Sequence, residues 1–177
     1  RQVTKLALQI FDITKENLHH YGETERNLLK YGGLLHDIGY SISGEKHNKE
    51  AYEIIINTKM AGFQENEIVI IANLARYHNS KPPKDKHQNF ACIKDDSTKV
   101  LIKNLSAFLR IADGLDRSHT DAVKDIKCLI DRFTSTCAFI LSVKGGHCSA
   151  ELYGANKKKD LFEQQFNLDV KFIVQGF

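Results

Sequence analysis

Successive stretches of this chain repeat apolar residues at helical spacing, and some carry a histidine or an aspartate where the stripe asks for an apolar side chain. The first stripe is Val3, Leu6, Ala7, Ile10 and Phe11, and it is already running at residue 3 with no capping residue ahead of it. A second helix is predicted from about residue 24 through Leu28, Leu29 and Leu34-Leu35 to His36, with Gly39 ending the run and SISGE as a loop. Gly32-Gly33 inside that helix costs helix stability, and such a pair signals a close helix contact. The third helix covers residues 46–58, with Ala51, Ile54 and Ile55 inward. A fourth covers 65–78, burying Ile68, Ile71, Ala72, Leu74 and Ala75. Pro82-Pro83, in a polar stretch, places residues 79–96 in a long loop with at most short helical pieces. The fifth helix is predicted over 98–115.

The pattern changes after Val123. Residues 126–130, 137–143 and 147–153 are rich in β-branched and aromatic side chains and read as strands, with Lys144-Gly145-Gly146 as the hairpin turn between the last two. Residues 156–166 read as helix and 169–174 as a final strand. The expected fold class is therefore mainly α: a helical bundle with a small C-terminal α+β tail of hairpin, helix and strand. The expected division is a helical body, residues 1–123, and a small subdomain, residues 124–177, packed on it.

The misplaced polar groups carry the chemistry. His36 lies on the stripe of Leu29 and Gly32, His78 lies four residues after Leu74, and Asp113 lies four after Leu109. A carboxylate driven into a core is expensive unless it is paired or binds a metal. Imidazole and carboxylate are the donors that suit Zn, Mn or Fe, and helical bundles hold metals in just such inward-facing sets. The opposing reading makes these side chains ordinary hydrogen-bonded core residues.

Composition narrows the partners. A net charge of +3 suits phosphorylated small molecules and is too weak to point to nucleic acid. No apolar run approaches the roughly 18 residues of a membrane span, and the first residues lack the build of a signal peptide, so the expected compartment is the cytoplasm. Cys92, Cys128, Cys137 and Cys148 form no C-x-x-C pair and read as free, buried thiols. Lys157-Lys158-Lys159 reads as a solvated helix face.

The segment YGGLLHDIGY resembles the signature of HD-domain metal phosphohydrolases, in which an adjacent His-Asp pair binds a metal, and Asp113 in LRIADGLD matches the distal aspartate. The resemblance extends to the C-terminal domain of the exopolyphosphatase and guanosine pentaphosphate phosphohydrolase (Ppx/GppA) family. It runs in order through RQVTKLALQIFD, LLHDIGYSISGEKHNKEAYEIIIN, GFQENEIVIIANLARYHNSKPPK and FLRIADGLDRSH, and more weakly through KKKDLFEQQFN. It implies an HD-type bundle in which His36, Asp37 and Asp113 hold a divalent metal (Mn, Fe, Zn or Mg) and carry the catalysis. His47 and His78 match positions holding a second metal in binuclear members, His47 having the exposed loop histidine as its competing reading. The family pattern also has a metal-binding histidine just ahead of the RQV segment, which implies a further ligand upstream of Arg1.

Basic residues near these motifs are candidates to hold phosphate: Lys46, Arg76, Lys81, Arg110, Arg117 and His119, with Arg117 and His119 foremost. Asp116 reads either as an anchor for Arg117 or as a proton-transfer group. The implied reaction is hydrolysis of a phosphoanhydride or phosphoester, such as polyphosphate or guanosine penta- or tetraphosphate, with the metal lowering the pKa of water from about 15.7 toward about 7. The alternative is a non-catalytic module that binds polyphosphate or nucleotide and supports homodimerisation. In that family the polyphosphate-splitting site belongs to a separate actin-like domain, and no G-x-x-x-x-G-K-[ST] phosphate loop occurs here.

Overall fold

The amphipathic stripes close into a helical body in the computed structural model, which describes residues 1–175. The helices are α1 (Gln2–Leu18), α2 (Glu23–Leu35), α3 (His47–Ile56), α4 (Glu65–Tyr77), the short α5 (Gln88–Ala91) and α6 (Asp96–Gly114). A 3-10 turn, Ile38–Ser41, follows α2, so Gly39 lies within a turn instead of simply ending the helix. Local chemistry sets several helix starts. Glu25 accepts from the Gly22 N–H at 2.7 Å, Glu67 from the Gln64 N–H at 2.8 Å, and Asp95 from the Thr98 N–H at 2.7 Å.

The centre of the body is α6, whose Leu105, Phe108, Leu109 and Ala112 are wholly buried against Leu6, Ile10 and Phe11 of α1 and Ile71 and Leu74 of α4. The expected close contact at Gly32-Gly33 is present: a Cβ on Gly32 would lie 2.8 Å from the Leu74 side chain, and one on Gly33 would lie 3.2 Å from Thr4 Cα.

The tail corrects the predicted strands. β1 (Val123–Asp131) and β2 (Thr136–Val143) form the antiparallel hairpin, and β3 (Asp169–Gln175) joins β2 in parallel, giving the order β1-β2-β3. The hairpin turn is therefore at residues 132–135, not at Lys144-Gly145-Gly146. Asp131 Oδ1 accepts from the Phe133 N–H at 2.8 Å, and Ser135 takes φ 51°, which replaces the glycine signal that the sequence reading looked for. Residues 147–153 are not a strand. They enter α7 (Ser149–Lys158), which continues into α8 (Asp160–Phe166). Glu151, Gly154 and Ala155 are its buried face, a helical spacing packed against α6, and the helix formers Ala150, Glu151 and Leu152 outweigh the strand preference of Tyr153. Asn167, with φ 52°, ends α8 in the left-handed conformation and turns the chain into β3.

Body and tail share aromatic packing. The Phe162 ring stands 6.0 Å from Phe108 of α6 and 5.5 Å from Phe139 of β2, edge-on to both. Of the cysteines, Cys137 and Cys148 are buried as expected and Cys128 partly so, whereas Cys92 is exposed at the end of α5. Among the described residues no helix is long and apolar enough to cross a membrane.

Candidate metal centre

Every principal residue of the site sits at or beside a helix end, so the site occupies one end of the body. His36 is the C-cap of α2 and Asp37 precedes the 3-10 turn. His47 opens α3, His78 is the C-cap of α4, and Asp113 is in the last turn of α6. The last carbonyls of a helix lack partners within it. Here they hold imidazoles: His36 Nδ1 donates to Gly33 O at 2.7 Å, and His78 Nδ1 donates to Ala75 O at 2.7 Å. His47 Nδ1 donates to Gly44 O at 2.8 Å. A carbonyl can only accept, so each Nδ1 carries its hydrogen, and in the neutral ring the Nε2 lone pair is left free.

Those Nε2 atoms converge. His47 Nε2 and His78 Nε2 are 3.2 Å apart, and Asp37 Oδ1 is 3.6 Å from the first and 3.5 Å from the second. His36 Nε2 is 3.1 Å from Asp37 Oδ2 and 3.9 Å from Asp113 Oδ1. One donor atom each from His36, Asp37 and His78 fall within 4.8 Å of one another. The C-terminal ends of α2, α4 and α6 also point their negative poles here, which favours a cation.

The electrostatics follow from burial and from the carboxylates. Burial pushes the His78 imidazole down to about 4. Burial also opposes charge on His36, but its hydrogen bond to Asp37 and the charges of Asp37 and Asp113 outweigh this and raise its pKa. Asp37 is desolvated too, yet His36, His78 and His47 hold its carboxyl below the usual range. His36 Nε2 and Asp37 Oδ2, 3.1 Å apart, form a satisfied ion pair whenever that ring carries both hydrogens. The facing nitrogens of His47 and His78 are different: with both Nδ1 hydrogens spent on carbonyls, two lone pairs meet unless one ring is protonated or a cation lies between them. Three imidazole nitrogens and carboxylate oxygens form a donor set that fits a divalent cation of the Zn, Mn or Fe type.

The cluster opens into a pocket of about 280 Å³ lined by Asp37, Tyr40, His47, His78, Asp113 and the basic groups Arg117, His119 and Lys158. His36, Asp37, His47, His78 and Asp113 are thus brought together, and His47 is 5 % exposed, not a loop histidine in solvent. Of the proposed phosphate holders, only Arg117 and His119 reach this pocket. Lys46, Arg76 and Lys81 line a separate groove with Lys49 and His87.

Arg110 requires a correction. It is 2 % exposed, donates to Tyr77 O at 3.3 Å and Ser80 O at 2.8 Å, and pairs with Asp160 at 2.8 Å. Its guanidinium ties α4, α6 and α8 together and does not line the pocket. Asp116 is buried, which raises its pKa, and its nearest ion-pair partner is His119 at 3.8 Å, not Arg117. Arg117 instead lies over the Tyr153 ring at 5.4 Å.

Four residues of the pocket, Tyr40, Asn79, Gly114 and Lys158, were not expected at the site from the sequence, and two of them touch its principal groups. Tyr40 stacks on His47 with centroids 4.1 Å apart and planes 14° apart. Lys158 forms an ion pair with Asp113. Of the lysine triplet only Lys157 is solvent-exposed as expected: Lys158 is half-buried in the site, and Lys159 donates to Val170 O at 2.7 Å and pairs with Glu163 at 2.8 Å. The available signal was Gly154, four residues before Lys158 on the same helix face. Backbone approaches backbone there, since a Cβ on Gly154 would lie 2.4 Å from Gly114 O. That approach brings the end of α7 to Asp113.

Fold and site together define a helical domain with a His/Asp cluster beside a basic pocket. The chain belongs to the family described as Ppx/GppA phosphatase, domain III, whose model matches residues 1–161. It is therefore related to the exopolyphosphatases and guanosine pentaphosphate phosphatases.

Proposed function

We propose that this domain is an HD-type, divalent-cation-dependent phosphohydrolase centre acting on phosphoanhydrides or phosphoesters such as polyphosphate or guanosine penta- or tetraphosphate. The observation that carries this reading is the 3.2 Å approach of His47 Nε2 to His78 Nε2 with both Nδ1 atoms tied to carbonyls, a contact that makes chemical sense around a cation. His36, Asp37, His78 and Asp113 would hold the ion, with His47 completing the set. A divalent cation there supplies Lewis-acid polarisation of a phosphoryl oxygen and of water. The chain's own groups do the rest. Arg117 and His119 sit on the open side of the pocket to neutralise and orient phosphoryl oxygens. The carbonyls of Gly33, Gly44 and Ala75 keep the imidazoles in one tautomer.

A second reading is favoured by the groove of Lys46, Lys49, Arg76, Lys81 and His87, which gathers positive charge away from the cluster. On that reading the domain grips a polyanion for a catalytic domain elsewhere and hydrolyses nothing itself. The two separate in one experiment: elemental analysis of the purified protein and of Asp37→Ala, with both assayed on pyrophosphate, polyphosphate, guanosine tetraphosphate and a chromogenic phosphomonoester. Bound transition metal and hydrolysis, both lost in the variant, support the enzyme. Metal-free protein whose activity survives Asp37→Ala refutes it, and polyphosphate binding without turnover supports the module.

A further inference from the structure

Lys158 is the one basic side chain in the pocket that already holds a member of the proposed ligand set. It comes from α7, in the tail, and reaches Asp113 on α6 across the Gly114–Gly154 approach. Both side chains are largely shielded, 14 % exposed for Lys158 and 13 % for Asp113. An ammonium and a carboxylate placed there stabilise each other as long as each lacks a better partner. Asp113 turns its other oxygen, Oδ1, toward His36 Nε2 at 3.9 Å, so the same carboxylate faces the cluster with one oxygen and the lysine with the other. A divalent cation on Oδ1 would repel an ammonium on Oδ2 of that group. Lys158 has somewhere to go: it lines the pocket together with Arg117 and His119, where a phosphorylated ligand brings negative charge.

We propose that Lys158 is the counter-ion of Asp113 in the cation-free domain and exchanges that carboxylate for phosphoryl oxygens when a divalent cation binds, so that cation and phosphate binding are coupled through one side chain. The inference rests on the cation reading above. It makes the tail part of the site: residues 124–177 supply a substrate-holding group, and a body ending at residue 123 would lack it. The exchange involves no bond making or breaking, only the transfer of an ion-pair partner. Its sign is fixed, because Lys158 competes with the cation for Asp113 and co-operates with it for phosphate.

The test uses the wild-type protein first. Lysine acylation by an N-hydroxysuccinimide ester, read residue by residue by mass spectrometry, should label Lys158 slowly in the cation-free protein. Labelling should rise severalfold with saturating Mn2+ and fall again when inorganic phosphate is added. In Lys158→Met, calorimetry should show Mn2+ binding about tenfold more tightly and inorganic phosphate binding about tenfold more weakly with Mn2+ present, with Lys158→Arg recovering the phosphate affinity. Labelling of Lys158 that Mn2+ leaves unchanged overturns the exchange while the cation centre stands. So does an unaltered Mn2+ affinity in a folded Lys158→Met. Wild-type protein that binds no divalent cation overturns both.

Discussion

His47 and His78, thirty-one residues apart in the chain, meet through their Nε2 atoms at 3.2 Å while their Nδ1 atoms are bound to the carbonyls of Gly44 and Ala75. Neither ring has a hydrogen left to place between them in its neutral state. His78 is 1 % exposed and burial holds its pKa down to about 4, so protonation of that ring does not relieve the contact near neutral pH. The contact calls for either a proton on the His47 ring or a cation between the two nitrogens.

That arrangement has a measurable consequence for stability. A divalent ion at 100 times its Kd stabilises the folded protein by about 2.7 kcal/mol. If His47→Ala weakens binding 100-fold, the gain at the same ion concentration drops to about 0.4 kcal/mol. Thermal unfolding with and without Mn2+, in wild type and variant, reads this directly. Equal cation-induced shifts in the two proteins would remove His47 from the ligand set.

His19 contributes to the pH dependence of the cation-free fold with a definite sign. It is 6 % exposed among Phe11, Tyr21 and Phe108, its Nε2 donates to Phe11 O at 3.0 Å, and its Nδ1 accepts from the Tyr21 N–H at 3.3 Å. Burial therefore lowers its pKa from 6.5, and protonation forfeits the bond from Tyr21. The unfolded chain takes up the proton first as pH falls, so the stability contributed is complete above about 6.5 and is lost as pH drops toward the folded value. Urea unfolding at pH 7, 6 and 5 should show a shallower decline for His19→Gln than for wild type. Parallel declines would assign the pH dependence to other groups.

Arg110 tests the reassignment from ligand contact to structure. Arg110→Met keeps the stem of the side chain but orphans the carbonyls of Tyr77 and Ser80 and leaves Asp160 without its partner. The cost should be about 3 kcal/mol, given about 1–3 kcal/mol for each buried group left unsatisfied and the half-exposed position of Asp160. A loss under 0.5 kcal/mol in chemical denaturation would show that the guanidinium is not a strut.

Phe162 tests whether body and tail form one cooperative unit, as its contacts with Phe108 and Phe139 suggest. Phe162→Ala should cost about 3–5 kcal/mol. The wild-type protein should unfold in a single calorimetric transition. A separate transition for residues 124–177 would divide the chain at the point where composition changes.

The sequence alone determined the long helices of the body, because their apolar stripes are local. It also marked His36, His78 and Asp113, whose polarity contradicts the face they occupy. The Nδ1 bonds of His36 and His78 belong to this local level too: a histidine at a helix C-cap finds the carbonyl three residues back without help from the rest of the fold. Residues 147–153 were not legible in this way. Tyr153 favours a strand while Ala150, Glu151 and Leu152 favour a helix, and the close approach of Gly154 to Gly114 on α6 accompanies the helix that delivers Lys158 to Asp113. The same holds for Arg110, whose neighbours in sequence fit a surface cation as well as a buried strut. Local propensity is a property of a few adjacent residues. Which charge meets which carboxylate depends on groups forty-five residues apart, and packing decides it.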